Sequence, residues 1–266
     1  MITLRQGDRG ADVIKLQAML VDKGFILVND GDYGGKTTDA VRRFQQANGL
    51  IDDGVSSVST MRCLRGDDIS KSLKKSDLIA AASALNVDLA TIYAVTQVEC
   101  NGYGFLDSGK PAILYERHIM RRRLLAKKLS AIGYPASLVN TQTGGYVGGL
   151  GEYVRLDEAI KIDRECALES CSWGAFQVMG FHWDLMGYDS VDHFTGEMAI
   201  SEGRHLDAFV RFVGSRINSA MLKALQRKDW AAFAKLYNGL NYKLNNYDTK
   251  LAAAFGWYVR LLTGGL

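Results

Sequence analysis

DLATIYAVTQVECNGYG, residues 88–104, reads as a helix built around a single carboxylate. Asn86 or Asp88 supplies the short polar side chain that accepts from the free N–H groups of a first turn. Leu89, Ile92, Val95 and Thr96 recur at helical spacing, and the same face continues to Glu99. Asn101-Gly102 follows, a pair that tolerates the left-handed conformation at a helix end. Glu99 is thereby expected in the last turn, on the buried face, beside carbonyls that lack intrahelical donors. Burial and the negative helix end both penalise its ionised form and raise its pKa. A rise of about two units corresponds to roughly 2.7 kcal/mol, enough to keep much of the acid protonated near pH 6. That is the state a general acid needs. The alternative is a frayed helix end that leaves Glu99 in water.

Upstream of this helix the chain carries an internal repeat. Val13-x-x-Leu16-Gln17 with Leu20 reappears as Val41-x-x-Phe44-Gln45, each time after a glycine-bearing turn. Gly7-Asp8-Arg9-Gly10 precedes the first copy, and Asp30-Gly31-Asp32-Tyr33-Gly34 with Thr37 precedes the second. A third short helix is expected from about Ser57–Ser59, carrying Met61 and Leu64. Three short helices around Leu16, Leu20, Val41, Phe44 and Leu64 make a small bundle near the lower size limit for independent folding. The Asp-Gly turns need no ligand to explain them, since glycine supplies backbone conformations that other residues resist.

The order Leu4, Gly7, Gly10, Val13, Leu16-Gln17, Leu20, Gly24, Asp30-Gly31, Tyr33-Gly34, Thr37, Ala40-Val41, Phe44-Gln45, Gly49-Leu50, Asp53-Gly54 and Thr60 resembles the three-helix peptidoglycan-binding domain of wall hydrolases. The resemblance covers essentially all of residues 1–66. Residues 67–76 are polar, with charges of both signs, and read as a linker. A binding module tethered in this way raises the local concentration of a second domain at a polymer surface.

Residues 77–266 read as a second, mostly helical domain. A helix is expected over 78–85, then the Glu99 helix. Residues 112–118 form a strand or an extended entry into a basic helix that begins near Ile119, with Leu124, Leu125 and Leu129 inward. Residues 141–151 are glycine-rich and irregular, a candidate loop over a cleft. Helix is expected over 155–168, and residues 172–180 interrupt the helical pattern. Late helices include a final one over 247–262, with Leu251, Ala254, Phe255, Tyr258 and Leu262 on one face.

Composition bounds the function. The 266 residues carry 47% hydrophobic and 23% charged side chains, ordinary for a soluble globular chain. A net charge of +3 with no dense basic block argues against nucleic acid as a partner. No stretch has the length of a signal peptide or a membrane span, so synthesis in a cytoplasm without membrane insertion is expected. Cys63, Cys100, Cys166 and Cys171 form no Cys-x-x-Cys pair, and reduced thiols are the default; Cys166 and Cys171 could approach each other. The four histidines show no zinc spacing, with no His-Glu-x-x-His and with His182 and His193 in separate elements, so no metal or cofactor is expected.

A helix ending in Val98-Glu99, then Ser172-x-Gly174-x-x-Gln177, then Tyr237-Asn238-Gly239 resembles the lysozyme-like superfamily, most nearly the N-acetylmuramidase family of phage endolysins. Its local signatures stand at residues 99–105, 113–118, 172–180 and 237–250. Cys100 departs from the serine common at that place, which touches only a supporting hydrogen bond. The resemblance implies a mainly α architecture: a small three-helix bundle, then a lysozyme-like domain with a minor β element. It implies that Glu99 is the general acid at the bond between N-acetylmuramic acid and N-acetylglucosamine. A second carboxylate would be base or nucleophile. Glu116 and Glu169 are candidates; the alternatives are a buried ion pair of Glu116 with Arg117 and His118, and an ordinary helix-end carboxylate at Glu169. Some relatives use one glutamate and a positioned water. Ser172, Gln177, Tyr237 and Asn238 are the expected sugar contacts, since amides and hydroxyls match N-acetyl and ring hydroxyl groups. Trp173 and Phe176 either stack on a sugar or belong to the core. The expected protein is a monomeric wall hydrolase that resides in the host cytoplasm and reaches the periplasmic wall at lysis. A lytic transglycosylase and a non-catalytic wall-binding protein are the alternatives.

Overall fold

The computed structural model describes residues 3–100 and 103–264. The first three helices, α1 (Ala11–Asp22), α2 (Gly35–Ala47) and α3 (Val58–Arg65), close around Val13, Leu16, Leu20, Tyr33, Val41, Phe44 and Leu64. The repeat has a structural purpose that its spacing alone does not reveal. Gln17 and Gln45 are both buried, and each ties down an Asp-Gly turn. Gln17 Oε1 accepts from Gly31 N at 2.9 Å while its Nε2 donates to Asp30 Oδ1 at 2.8 Å and Thr37 Oγ1 at 3.1 Å. Gln45 repeats the pattern on Gly54 N, Asp53 Oδ1 and Thr60 Oγ1 at 2.9, 3.1 and 3.0 Å. A buried amide is tolerated because every polar atom is satisfied, and each satisfied turn fixes the entry of the next helix.

The polar stretch after α3 does not hang free. Ser72 and Leu73 are buried, Leu73 N donates to Glu202 Oε2 at 2.8 Å, and Lys71 Nζ donates to the carbonyls of Gly109 and Ala199. Composition suggests mobility here because the partners lie 38 to 129 residues away in sequence. The next helix, α4 (Lys75–Leu85), begins on the bundle side, with Lys75 Nζ 2.8 Å from Asp52 Oδ2.

The second domain contains α5 (Leu89–Glu99), β1 (Ile113–Tyr115), α6 (Arg117–Ala126), α7 (Leu150–Ile160), α8 (Arg164–Glu169), β2 (Cys171–Trp173), β3 (Val178–Met179), a 3-10 turn (Gly180–His182), α9 (Val191–Met198), α10 (Glu202–Gly214), α11 (Ser219–Arg227), α12 (Trp230–Asn238) and α13 (Tyr247–Leu262). The sheet is antiparallel in the order β1-β2-β3, with Leu114 opposite Ser172 and Ser172 opposite Met179. The break at residues 161–163 splits the single helix expected over 155–168 into α7 and α8, and the Asp163 side chain caps the second by accepting from Cys166 N.

α5 is covered nearly all round, not along one stripe: Ala90 through Val95 are all buried. Such a helix belongs in the middle of a domain. α4 and α13 pack against it, and the Tyr93 ring lies 4.7 Å from that of Tyr258 on α13. The bundle closes the remaining side, where Tyr93 and Tyr258 donate to Asp52 Oδ1 and Asp53 Oδ2 at 3.2 and 3.3 Å. Burying Ile92 and Val95 alone contributes about 1.5–3 kcal/mol each. Two apolar faces differ from the reading of the sequence. On α6 Leu124 is buried with Ile119 and Met120, whereas Leu125 and, past the helix end, Leu129 are exposed; Arg123 instead turns in to a buried Glu169. On α13 Leu261 is buried and Leu262 exposed, a drift of one position at the end of a long helix. All four cysteines are free, with Cys166 and Cys171 buried. Among the described residues no single helix is long and apolar enough to cross a membrane.

Candidate active site

Asp88 sets where α5 starts: its Oδ1 accepts from Thr91 N at 2.8 Å. Eleven residues later the helix ends on Glu99, whose side chain turns away from the bundle into a cavity of about 590 Å³. Asn101-Gly102, expected to stop the helix, lies outside the described residues. Val98 and Glu99 face this cavity, whereas Tyr93, Thr96, Gln97 and Cys100 face a smaller one, about 210 Å³, between the two domains. The carboxylate-bearing helix is thus the wall between the interdomain space and the candidate site.

Burial pushes the Glu99 carboxyl up to about 7, against the opposing effect of a hydrogen bond from Asn238. Asn238 Nδ2, from the last residue of α12, donates to Glu99 Oε1 at 3.1 Å. The neighbouring Tyr237 stacks on Phe233 and sends its hydroxyl 2.8 Å to the Phe176 carbonyl. Burial first, and Glu99 second, raise its phenol well above the usual range, so Tyr237 stays a neutral donor. α12 therefore joins the carboxylate to the β2–β3 turn through two adjacent residues.

That turn holds Gln177 in a left-handed conformation at φ 50°. Ser172 Oγ donates to Gln177 Oε1 at 2.6 Å, and Gln177 Nε2 donates to the Gly174 carbonyl at 2.8 Å. The turn rests on His205 of α10, whose Nδ1 accepts from Ala175 N at 3.1 Å. Gly174 has to be glycine: its φ is 71°, and a Cβ there would lie 2.5 Å from His205 Cγ.

The residues expected from sequence divide into two groups. Glu99, Gln177, Tyr237 and Asn238 line one cavity, and Ser172 stands behind it as the support of Gln177. Glu116 and Glu169 are elsewhere. Glu116 accepts from the Tyr146 hydroxyl at 2.8 Å and lies 3.1 Å from His118 Nδ1. Glu169 takes two hydrogen bonds from Arg123 and one from Trp183 Nε1 at 2.9 Å. Neither lines the Glu99 cavity, and among its lining residues Glu99 is the only carboxylate. Trp173 belongs to the core, with its Nε1 bonded to the Leu168 carbonyl, while Phe176 shows an edge to the cavity. The glycine-rich loop does not line this cavity; Arg117 binds its Gln142 and Thr143 carbonyls, and Glu152 accepts from Val147 N and Gly148 N.

Sequence reasoning did not assign a site role to His182, Met179 or Phe212, which also line the cavity, as do Asn245, Tyr247 and Lys250. His182 stands two residues beyond Gly180, at the end of the 172–180 segment, and that adjacency was the available signal. No group of three or more His, Cys, Asp or Glu side chains suited to a metal ion occurs among the described residues.

Comparison with known proteins gives matches to both domains. The N-acetylmuramidase family model matches residues 88–259, and a peptidoglycan binding domain model matches residues 9–64. The fold is similar to the crystal structure of Burkholderia AP3 phage endolysin, with 50% sequence identity and a TM-score of 0.90 over 98% of this chain and 99% of that one. No curated protein sequence matches.

Proposed function

The chain belongs to the N-acetylmuramidase family, and from that membership we propose that it cleaves the glycan bond between N-acetylmuramic acid and N-acetylglucosamine with Glu99 as general acid. It is a lysozyme-type peptidoglycan hydrolase with an N-terminal peptidoglycan-binding domain. The observation that carries the finer reading is the carboxyl of Glu99, held at the edge of a 590 Å³ cavity with a pKa pushed by burial to about 7. An acid of that strength keeps its proton near neutral pH yet releases it to a departing sugar oxygen. Asn238 supports one carboxyl oxygen and leaves the other to face the substrate. Gln177, Tyr237 and Asn238 offer amide and phenol groups suited to N-acetyl and hydroxyl groups of a glycan.

The similarity to a phage endolysin supports a role in lysis of the host wall; that the protein waits in the host cytoplasm until release is part of the same proposal. A single carboxylate in the cavity is also what a lytic transglycosylase requires, because that reaction closes the muramic ring without water. Mass spectrometry of the soluble fragments from purified wall separates the bonds and the mechanisms. Fragments ending in reducing N-acetylmuramic acid are expected; reducing N-acetylglucosamine or 1,6-anhydro ends would contradict the proposal.

A further inference from the structure

Building on glycan cleavage by Glu99, we propose that His182 is a catalytic residue whose imidazole holds and deprotonates the water that attacks the anomeric carbon. The cavity poses the problem that His182 answers. Hydrolysis with one carboxylate still needs an acceptor for the attacking water, and Glu99 must hold its own proton for the leaving oxygen. The other lining groups are poor acceptors or are engaged. Gln177 Oε1 already takes the Ser172 hydroxyl, the Tyr237 hydroxyl is directed at the Phe176 carbonyl, and a lysine ammonium such as Lys250 only donates. The imidazole of His182 makes no hydrogen bond to the protein among the described residues, and it lines the same cavity as Glu99.

Its place is fixed by packing. The ring lies 4.2 Å from Phe181 and 4.7 Å from Phe212. Gly180, two residues earlier, sits so close to α8 that a Cβ would meet the Leu168 carbonyl oxygen at 2.3 Å. Met186 N donates to the His182 carbonyl at 3.0 Å, closing the turn. Burial lowers the imidazole to about 4, so it is neutral and keeps a free lone pair over the range in which Glu99 holds its proton. The other ionisable groups lining the cavity are Glu99, Tyr237, Tyr247 and Lys250. Those on the helices packed around its turn are paired elsewhere: Glu169 of α8 with Arg123, Asp192 of α9 with Arg164, and Arg211 of α10 with Asp207.

In the proposed step the water oxygen bonds to the anomeric carbon as one water proton passes to His182. The bond from that carbon to the glycosidic oxygen breaks with its electron pair, and Glu99 protonates the departing oxygen. The products are imidazolium at His182 and carboxylate at Glu99; solvent removes a proton from the first and returns one to the second. Attack opposite the leaving group inverts the anomeric centre, so a β-linked strand releases an α reducing end first.

The test uses the full-length protein on purified wall, with H182F, H182Q and E99Q assayed together. Phe keeps the ring packing and removes the nitrogen. For H182F and H182Q we expect kcat to fall about 100-fold or more with KM within about threefold, and the acid limb of the pH–rate profile to disappear. Proton NMR on the wild type, read before mutarotation, should show the α anomer first. Full activity in H182F, an unchanged acid limb in H182Q, or a β anomer first from the wild type would each overturn the role of His182. Loss of activity in E99Q alongside any of these would leave the Glu99 reading standing, whereas an active E99Q would overturn that reading itself. A β anomer first from the wild type overturns the role even if both His182 variants fold poorly.

Discussion

Replacing Glu99 with glutamine is expected to cut the rate of wall clearing by about 100- to 10,000-fold, the range that a positioned proton donor contributes. The amide keeps an oxygen for Asn238, which donates to Glu99 Oε1 at 3.1 Å, but has no proton to give. The fold should not suffer. Burial raises the Glu99 carboxyl to about 7, so the folded state binds this proton more tightly than the unfolded chain does. Its stabilising contribution is fully present below the unfolded value, about 4.3, and is lost as pH rises through about 7. Above that pH the buried carboxylate is a burden, which the neutral amide removes. E99Q is therefore expected to melt at the same temperature as the parent protein, or higher, at pH 8, and to sediment with peptidoglycan as before. Turbidity clearing, thermal melting and wall sedimentation on the same preparations check all three. Activity of the parent should fall as pH rises through about 7, since deprotonated Glu99 is no longer an acid.

The largest expected effect on stability lies at Glu152 of α7. Its side chain is fully buried, with Arg155 Nη1 2.7 Å away and the backbone N–H groups of Tyr115, Val147 and Gly148 at 3.1, 2.6 and 2.9 Å. Burial raises this carboxyl, but the N–H groups and Arg155 outweigh it and hold the pKa below its usual value. Arg155 in turn reaches the carbonyls of Tyr115 and Ser137 and covers the Tyr115 ring. One carboxylate thus joins β1, the 135–139 turn and the glycine-rich loop to α7. E152A leaves a buried guanidinium and three amides without their acceptor. Breaking a buried pair from one side costs about 3–5 kcal/mol, a large fraction of the 5–15 kcal/mol that holds an ordinary domain together. Denaturant unfolding should show that loss in the second domain. A change below about 1 kcal/mol would mean that water replaces the carboxylate at little cost.

Much of the architecture is legible in the sequence because it is written in local signals. The repeated Val-x-x-Leu/Phe-Gln pattern, the Asp-Gly turns and the Ser57 cap define the bundle within 66 residues. The Glu99 helix is similarly plain, since Asp88 caps it and apolar residues follow at helical spacing. What cannot be read locally is which partner a charged side chain finds. Glu169 looks like a helix-end carboxylate, yet it is buried because Arg123 and Trp183 arrive from other elements. The polar linker is held down by Glu202, which is 129 residues away from Leu73 in sequence. In the sequence His182 offers nothing beyond a spacing unsuited to a metal, because its neighbours in the cavity come from α5, α10, α12 and α13. Position in the chain carries no trace of that convergence.

The central claim is that Glu99 holds a proton at the pH where the wall is cut. Titrating the 13C-labelled Glu99 side-chain carboxyl by NMR, assigned by its absence in E99Q, tests it directly. A midpoint near 7 is expected from the burial at the end of α5. A midpoint near 4.3, the value of a glutamate in water, would mean that the carboxyl is ionised throughout the working range and is not the proton donor.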